Sequence, residues 1–367
     1  MLSTNTDTNQ WLIVDAPTQL REWDTGVVHP LPSQLSRGDS RTIGSAEDCW
    51  LRLRDPTGRV SRHHAKLTHD CNGQLVVADL RSKNGITQDG SRQVVVPVVP
   101  GLELGIGGVT LIFESPLLCL LRELLARLVG WSDERRVNLA LRSVRLAATR
   151  RESLQLCADN NRTLLSVARL LHRRTLGADQ PFVICARRPS KPPEKWANYE
   201  GAPRYEHGLE ALATANGGTL CIEPRPPHDF GEVIEAHRDP ASRVQLIVCT
   251  RTPHHDPLIT PVILPPMSER GHELDRVIEG YAADAGAVQG KTLKAADLDW
   301  IRAHESATLA QIERATLRFV MMRRHKLTQA AELLGMSHGS LSEWIADRTL
   351  DISVEGDDDA GTDDDAS

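Results

Sequence analysis

Ser61, Arg62, His64, Ser82, Lys83 and Asn84 fall in two short segments. These are Val60-Ser61-Arg62-His63-His64-Ala65-Lys66-Leu67 and Asp79-Leu80-Arg81-Ser82-Lys83-Asn84-Gly85, one hairpin's length of chain apart. Hydroxyls, a guanidinium, an ammonium and a carboxamide together suit a phosphate, whose three oxygens accept several charge-assisted hydrogen bonds at once. The Asn84 amide can also grip the main chain of a ligand, since it both donates and accepts. Upstream, Thr42-Ile43-Gly44-Ser45 precedes a third loop that would close the rim, adding Ser45 to the candidate set.

The elements that must position these residues are strands. Leu75-Val76-Val77-Ala78-Asp79-Leu80 is enriched in β-branched residues, and Cys71-Asn72-Gly73 before it is a tight-turn signal of the Asn-Gly kind. Both chemistry-bearing segments therefore read as strand ends feeding loops that lie close together. Further short runs, Trp11-Leu12-Ile13-Val14, Trp50-Leu51-Arg52-Leu53, Gln93-Val94-Val95-Val96 and Val109-Thr110-Leu111-Ile112-Phe113, are bounded by Gly, Pro or Asp. Regular short strands with no helical periodicity between them predict a β-sandwich over residues 11–115.

With Gly44-Ser45, Ser61-Arg62-His63-His64 and Ser82-Lys83-Asn84-Gly85 in this order over roughly a hundred residues, this part of the chain resembles the forkhead-associated (FHA) domain. The resemblance implies an eleven-stranded sandwich whose loops bind phosphothreonine peptides. Ser61 and Arg62 would stand near the phosphate, His64 would brace the loop, and Asn84 would hold the peptide main chain. One departure bears on affinity: the family usually has Arg where this chain has Ser45, so one phosphate-facing cation is missing. Lys83 replaces part of that charge, without the bidentate fork of a guanidinium.

At 367 residues the chain is long enough for two or three domains. No apolar run reaches the length of about 18 residues that spans a bilayer, and residues 1–10 are polar, so neither a membrane span nor a signal peptide is expected. A cytoplasmic protein follows as the expectation. Seven cysteines without any Cys-x-x-Cys spacing argue against a disulfide framework or a zinc site. The net charge of −6 is concentrated at one end, because residues 355–367 carry one Glu, six Asp and no base. The body is thus nearly neutral, and residues 351–367 read as an acidic, disordered tail. Residues 1–10 read as disordered too.

Pro116 opens a different regime. Residues 117–129 are apolar around much of a helical circumference, which predicts a well-buried or interface helix, and a second helical stretch follows through Val144. From Glu152 the pattern alternates. Runs at 153–157, 182–185, 219–222 and 244–249 are candidate buried strands, with amphipathic helices between them such as 163–174 and 207–215. That rhythm predicts a mostly parallel sheet covered by helices. A phosphate-binding loop would follow the first strand, yet Ala158-Asp159-Asn160-Asn161-Arg162-Thr163-Leu164 has neither the glycines nor the lysine such a loop requires.

Residues 116–315 nevertheless resemble the AAA+ domain of sigma-54 enhancer-binding activators. The likeness runs in order through Val167-Ala168-Arg169-Leu170-Leu171-His172, Pro181-Phe182-Val183, Ala213 to Leu220, Val248-Cys249-Thr250 and Leu264 to Arg270. Every position of the family's catalytic set departs. Leu164 stands at the Walker lysine, Glu223-Pro224 at the acidic pair, Arg251 at the sensor Asn and Ala310 at the second sensor Arg. The loop that engages the sigma factor is missing between Arg187 and Gly217. The expectation is a retained fold without its ATPase: not an enzyme, and with no cofactor. The adjacent His254, His255 and Asp256 do not make a metal site on their own, and neither does His228-Asp229.

A long amphipathic helix with Leu309, Ile312, Thr316, Phe319 and Val320 on one face ends in Arg323-Arg324-His325-Lys326. Beyond it, Ala331, Gly335, Leu341 and Trp344 occupy the small, turn and apolar anchor positions of a helix-turn-helix over about residues 307–348, which resembles the Fis-type unit ending the same activators. Ser337 is the expected cap of its second helix. The candidate DNA contacts are Arg323, Arg324, Lys326, His338, Ser340 and Ser342, a poorly basic set for reading bases.

The fold class that follows is multidomain: a β-sandwich at 11–115, a degenerate AAA+-like α/β domain at 116–270 and an all-α region with the helix-turn-helix at 271–350. The partners it implies are a phosphothreonine-containing protein that is a Ser/Thr kinase substrate, DNA, and a second copy of the chain, with no membrane. A transcriptional regulator is the leading reading; a phosphorylation-dependent scaffold that does not bind DNA is the alternative.

Overall fold

A computed structural model of the chain describes residues 15–32, 35–150, 153–187, 202–252, 261–287 and 292–348. The expected strand at Trp11–Val14, the residues His254, His255 and Asp256, and the acidic tail lie outside them. The chain divides into two compact units, residues 1–152 with 257–262, and residues 153–256 with 263–367.

The first unit is built on two sheets. Their strands are β1 (Gln19–Glu22), β2 (Val28–Pro30), β3 (Ser40–Gly44), β4 (Leu51–Arg52), β5 (Ala65–His69), β6 (Leu75–Asp79), β7 (Ile86–Gln88), β8 (Ser91–Gln93), β9 (Val95–Pro97), β10 (Glu103–Ile106) and β11 (Val109–Glu114). One sheet has the order β2-β1-β11-β10-β7-β8 and the other β4-β3-β5-β6-β9. All their ladders are antiparallel except β3 with β4. Alternating inward residues, among them Leu20, Ile43, Leu67, Val77, Ile86, Leu104, Leu111 and Phe113, fill the space between the sheets and are fully buried. The run Gln93 to Val96, which reads as one strand, is instead cut at the exposed Val94: β8 ends in one sheet and β9 begins in the other. Period-2 alternation cannot register a chain that changes sheets, because it reports only which side of the backbone is apolar.

Two helices complete this unit. Helix α1 (Pro116–Val129) starts with Pro116 in its first turn and with Ser115 Oγ accepting the Leu118 N–H; α2 (Glu134–Arg150) follows. A buried ion network ties them to the sandwich. Glu114, fully buried at the end of β11, accepts from Arg21 Nε at 3.0 Å and from Arg122 of α1. Arg122 in turn reaches Glu134 at 2.8 Å and Asn138 Oδ1 at 2.6 Å on α2, and Asn138 Nδ2 donates to the Trp23 carbonyl at 2.7 Å. A buried carboxylate persists only when it is paired and hydrogen-bonded, so α1 and α2 belong energetically to the sandwich. The compact unit accordingly runs past the 115/116 position, where the change of sequence pattern suggests a boundary, to Glu152.

The second unit carries the alternating pattern as β12 (Leu154–Cys157), α3 (Asn161–Thr175), β13 (Phe182–Cys185), β14 (Arg204–Tyr205), α4 (Gly208–Thr214), β15 (Thr219–Ile222), α5 (Phe230–Arg238) and β16 (Gln245–Thr250). Parallel ladders join β14, β13, β15, β16 and β12 in that order. β13 and β15 are buried at every residue, as expected of strands covered on both faces. His172 of α3 sits beneath the sheet, with Nδ1 2.9 Å from Thr219 Oγ1 and Nε2 3.1 Å from the Gln180 carbonyl, and burial pulls its pKa down to about 4.

Five further helices follow: α6 (Leu274–Asp284), α7 (Ala295–His304), α8 (Leu309–Arg324), α9 (Leu327–Leu333) and α10 (His338–Ala346). Trp300, Phe319 and Trp344, from α7, α8 and α10, meet edge to face with ring centroids 5.5–5.8 Å apart, and the Arg318 guanidinium lies 4.8 Å from the Trp344 ring. Between α9 and α10 the chain turns at Gly335 with φ +65°, a backbone setting that disfavours residues with a Cβ. Ser337 Oγ accepts the Ser340 N–H and caps α10, as its position in the sequence suggests.

Candidate functional site

The loops after β3, before β5 and after β6 converge at one end of the sandwich. Pairing of β3 with β5 sets Ile43 against Ala65, and the His64 N–H extends that ladder to the Ile43 carbonyl at 2.9 Å. Beyond it, Ser45 N–H donates to Ser61 O and Ala46 N–H to Arg62 O, both at 3.1 Å. The approach demands glycine at 44, because a Cβ there would meet the Arg62 carbonyl oxygen at 2.0 Å.

The turn leading into Ser61 is shaped by Asp55. Its Oδ1 accepts from Thr57 N–H and Thr57 Oγ1, and its Oδ2 from the N–H groups of Arg59, Val60 and Gly108, at 2.6–3.3 Å. These bonds, the Thr57 hydroxyl foremost, hold its pKa down to about 2.

His64 is fully buried and joins the two chemistry-bearing segments. Its Nδ1 lies 3.0 Å from the Ser61 N–H, and its Nε2 lies 3.0 Å from the Gly85 carbonyl oxygen. A backbone N–H can only donate and a carbonyl can only accept, so the ring carries its proton on Nε2. Ser61 Oγ accepts the Lys83 N–H at 3.1 Å, which leaves the hydroxyl proton for a ligand. Asn84 Nδ2 donates to the Arg59 carbonyl at 2.7 Å, keeping Oδ1 and one N–H for a peptide backbone. The Arg62 guanidinium and the Lys83 ammonium are exposed and have no side-chain partner among the described residues.

Two of the residues expected to contact ligand are occupied within the protein. Ser82 is 6 % exposed; its Oγ donates to Asp79 Oδ1 at 2.5 Å and accepts the Gly85 N–H at 2.9 Å, so it shapes the loop. Ser45 turns its hydroxyl to the Val60 carbonyl at 3.4 Å. Of the expected set, Ser61, Arg62, Lys83 and Asn84 keep side-chain hydrogen-bonding groups that no contact among the described residues uses. Asp55 and Asp79 escaped the reading of the sequence, although Asp55-Pro56-Thr57-Gly58 is a side-chain-capped turn signal. Beside this surface, one atom each of Asp48, Cys49 and His63 lies within 4.8 Å of the others. His63 pairs with Asp48 at 2.9 Å, while burial raises the Cys49 pKa and so opposes the thiolate a metal needs.

In the second unit, Leu164 is fully buried in α3, and the first amides of that helix, Arg162 N–H and Thr163 N–H, are taken by Asn160 Oδ1 at 2.8 and 3.4 Å. Glu223 is paired with Arg204 at 3.0 Å, and Arg251 Nε donates to Asn161 Oδ1.

Among the candidate DNA contacts, Arg323 requires correction. Its side chain is 7 % exposed and forms a two-pronged pair with Asp297 at 3.0 and 2.8 Å, which takes it out of any exposed cationic face. Arg324 is exposed but its Nη1 is spent on the Gly286 carbonyl at 2.5 Å. Lys326, His338 and Ser340 are exposed, and Ser342 is half-buried; Glu343 and Asp347 share the exposed surface of α10 and its end.

Residues 41–107 match the FHA domain family, and the sandwich and its loops are an FHA domain. Similar solved structures include an FHA domain analysed for phosphothreonine-dependent interactions, 26 % identical over 26 % of this chain and 94 % of that one, with a TM-score of 0.23. Mycobacterium tuberculosis EmbR in complex with a low-affinity phosphopeptide is 28 % identical over 27 % of this chain but only 24 % of EmbR, with a TM-score of 0.23. An FHA domain from Chlamydia trachomatis is 21 % identical over 26 % of this chain and 95 % of that one, with a TM-score of 0.22. No curated protein matches the chain. Among the described residues no helix is long and apolar enough to cross a membrane.

Proposed function

We propose that the protein binds a phosphothreonine-containing partner protein through Ser61, Arg62, Lys83 and Asn84, and acts as a phosphorylation-dependent regulator of transcription. The carrying observation is the double tie of His64 to Ser61 and Gly85 within the FHA match, which holds a hydroxyl proton, two unpaired cations and a carboxamide in one place. A preorganised set of charge-assisted donors suits a dianionic phosphate. The second unit is read as a nucleotide-silent relative of the sigma-54 activator domain, with no enzymatic step. Support comes from the buried Leu164, from Asn160 on the amides that a nucleotide phosphate would use, and from Glu223 held by Arg204. The pair α9 and α10, turning at Gly335, supports a terminal helix-turn-helix.

A second reading, a scaffold that never touches DNA, draws support from the commitment of Arg323 to Asp297 and from Glu343 and Asp347 on the exposed surface. Two measurements test the proposal. Phosphothreonine peptides should bind the full chain while their unphosphorylated forms do not; equal binding refutes it. Crosslinking the protein to genomic DNA in cells should recover discrete fragments; an even background would select the scaffold.

A further inference from the structure

Ser45 leaves the site without the guanidinium that the family usually has at that position, yet another arginine lies beside it. β4 runs parallel to β3 with Arg52 opposite Gly44. Residues opposite one another on neighbouring strands share a face of the sheet. At Gly44 that face looks onto the Ser61–Arg62 turn, since a Cβ built there meets Arg62 O at 2.0 Å and Ser61 O at 3.0 Å. Arg52 therefore leaves its strand on the face of the sheet against which the backbone of the Ser61–Arg62 turn packs.

The Arg52 side chain reaches back over Ser45. Its Nε donates to the Ser45 carbonyl at 3.3 Å, and its Nη1 lies 3.4 Å from Glu47 Oε1. Both distances are long for a charged donor. The two side chains are 56 % and 87 % exposed, so the ion pair is weak and a dianion displaces Glu47 readily. The Ser45 carbonyl bond meanwhile keeps the guanidinium beside residue 45, whose own backbone N–H is bonded to Ser61 O. A flexible, exposed fork held there by one bond has its remaining N–H groups for phosphate oxygens.

We propose that Arg52 is a phosphate-binding residue of this site, supplying from β4 the guanidinium that the chain lacks at position 45; the inference rests on the phosphothreonine reading above. Binding moves Arg52 Nη1 from Glu47 to the phosphate. Arg62, Lys83 and Arg52 would then surround it with three cations.

The test uses the full chain and a degenerate pool of nonapeptides centred on phosphothreonine, from which one tight binder is taken for fluorescence titration. Arg52→Ala should lower affinity for that peptide about tenfold or more, the loss of one charge-assisted contact. Its melting should stay that of the parent, because the side chain is exposed. Ser45→Arg added to Arg52→Ala should restore most of the affinity. An Arg52→Ala protein that binds within about twofold of the parent overturns the proposal, as does a loss that Ser45→Arg leaves unrepaired, which assigns Arg52 to loop shape alone. Failure of the wider reading looks different: the parent chain itself would bind the phosphorylated and unphosphorylated pools alike.

Discussion

Lys83 donates its backbone N–H to Ser61 Oγ at 3.1 Å, so the loop before β5 and the loop after β6 are joined through the hydroxyl proposed to bind phosphate. A hydroxyl oxygen that already accepts one bond keeps its own proton to donate, and an oxygen held in place in that way loses little freedom on binding. Ser61→Ala should lower phosphopeptide affinity by about tenfold to a hundredfold, the effect of one hydrogen bond to a charged group. Titration of the two proteins with the same phosphothreonine peptide checks this. An unchanged affinity would place the phosphate elsewhere.

His64 makes its two bonds inside the protein, and its replacement tests the frame apart from the contacts. His64→Phe keeps an aromatic ring but leaves Ser61 N–H and Gly85 O without partners. Each orphaned buried group costs about 1–3 kcal/mol. Chemical denaturation of the full chain should show that loss in the sandwich, and phosphopeptide binding should fall with it even though His64 touches no ligand. Normal stability with lost binding would instead give the ring a direct role.

Asp55 makes the site acid-sensitive. Its folded pKa, held near 2 chiefly by the Thr57 hydroxyl, lies below the ordinary carboxylate value. A lowered folded pKa contributes stability above the unfolded value, and that contribution is lost as pH falls from about 4 toward 2. Asp55 is only half-buried, so solvent screens the interaction and keeps the effect small. Asp55→Asn should remove the slope in that window and cost about 1 kcal/mol at neutral pH, through weakened bonds to the turn amides. Melting curves at pH 3 and pH 7 for parent and variant decide it; parallel slopes would mean that Asp55 is idle.

What could be read in the sequence depended on how local each signal is. The Ser61-Arg62-His63-His64 and Ser82-Lys83-Asn84-Gly85 segments announce the loops because turn chemistry is set within four or five residues. The inward direction of Ser82 could not be read there, since it is fixed by the Asp79 carboxylate and the Gly85 amide together. The attachment of α1 and α2 to the sandwich was hidden for a similar reason. Arg21 lies 93 residues before Glu114, while Glu114, Arg122 and Asn138 sit on three separate elements, and each looks like a solvated charge or amide until the fold brings them into one buried network. The parallel sheet of the second unit was legible because strands buried on both faces must be apolar at nearly every position.

Mg-ATP should not bind the second unit. Phosphate at a helix N-terminus needs free amides, and Asn160 already accepts those of Arg162 and Thr163 while Leu164 offers no charge. Calorimetric titration of the full chain should give no heat of binding up to millimolar nucleotide. A micromolar dissociation constant would refute the reading of a silent domain.

Arg323 and Lys326 are three residues apart, and the structure assigns them opposite fates. Arg323 is buried in its pair with Asp297, whose side chain is 3 % exposed, whereas Lys326 stands in solvent before α9. Removing one partner of a buried pair leaves the other charge uncompensated, at a cost of about 3–5 kcal/mol. Arg323→Ala should therefore lower the unfolding free energy of the second unit by roughly that amount, and the double variant Arg323→Ala with Asp297→Ala should recover part of it. If the protein binds DNA, the contribution of Lys326 is to a phosphate, so Lys326→Ala should weaken binding by a similar factor on every sequence and reduce the salt dependence by about one ion. Arg323→Ala, measured at a temperature where the variant remains folded, should leave that salt dependence unchanged. A reduced salt slope in folded Arg323→Ala would mean that the pair with Asp297 opens on DNA, and the assignment of Arg323 to the interior would fall.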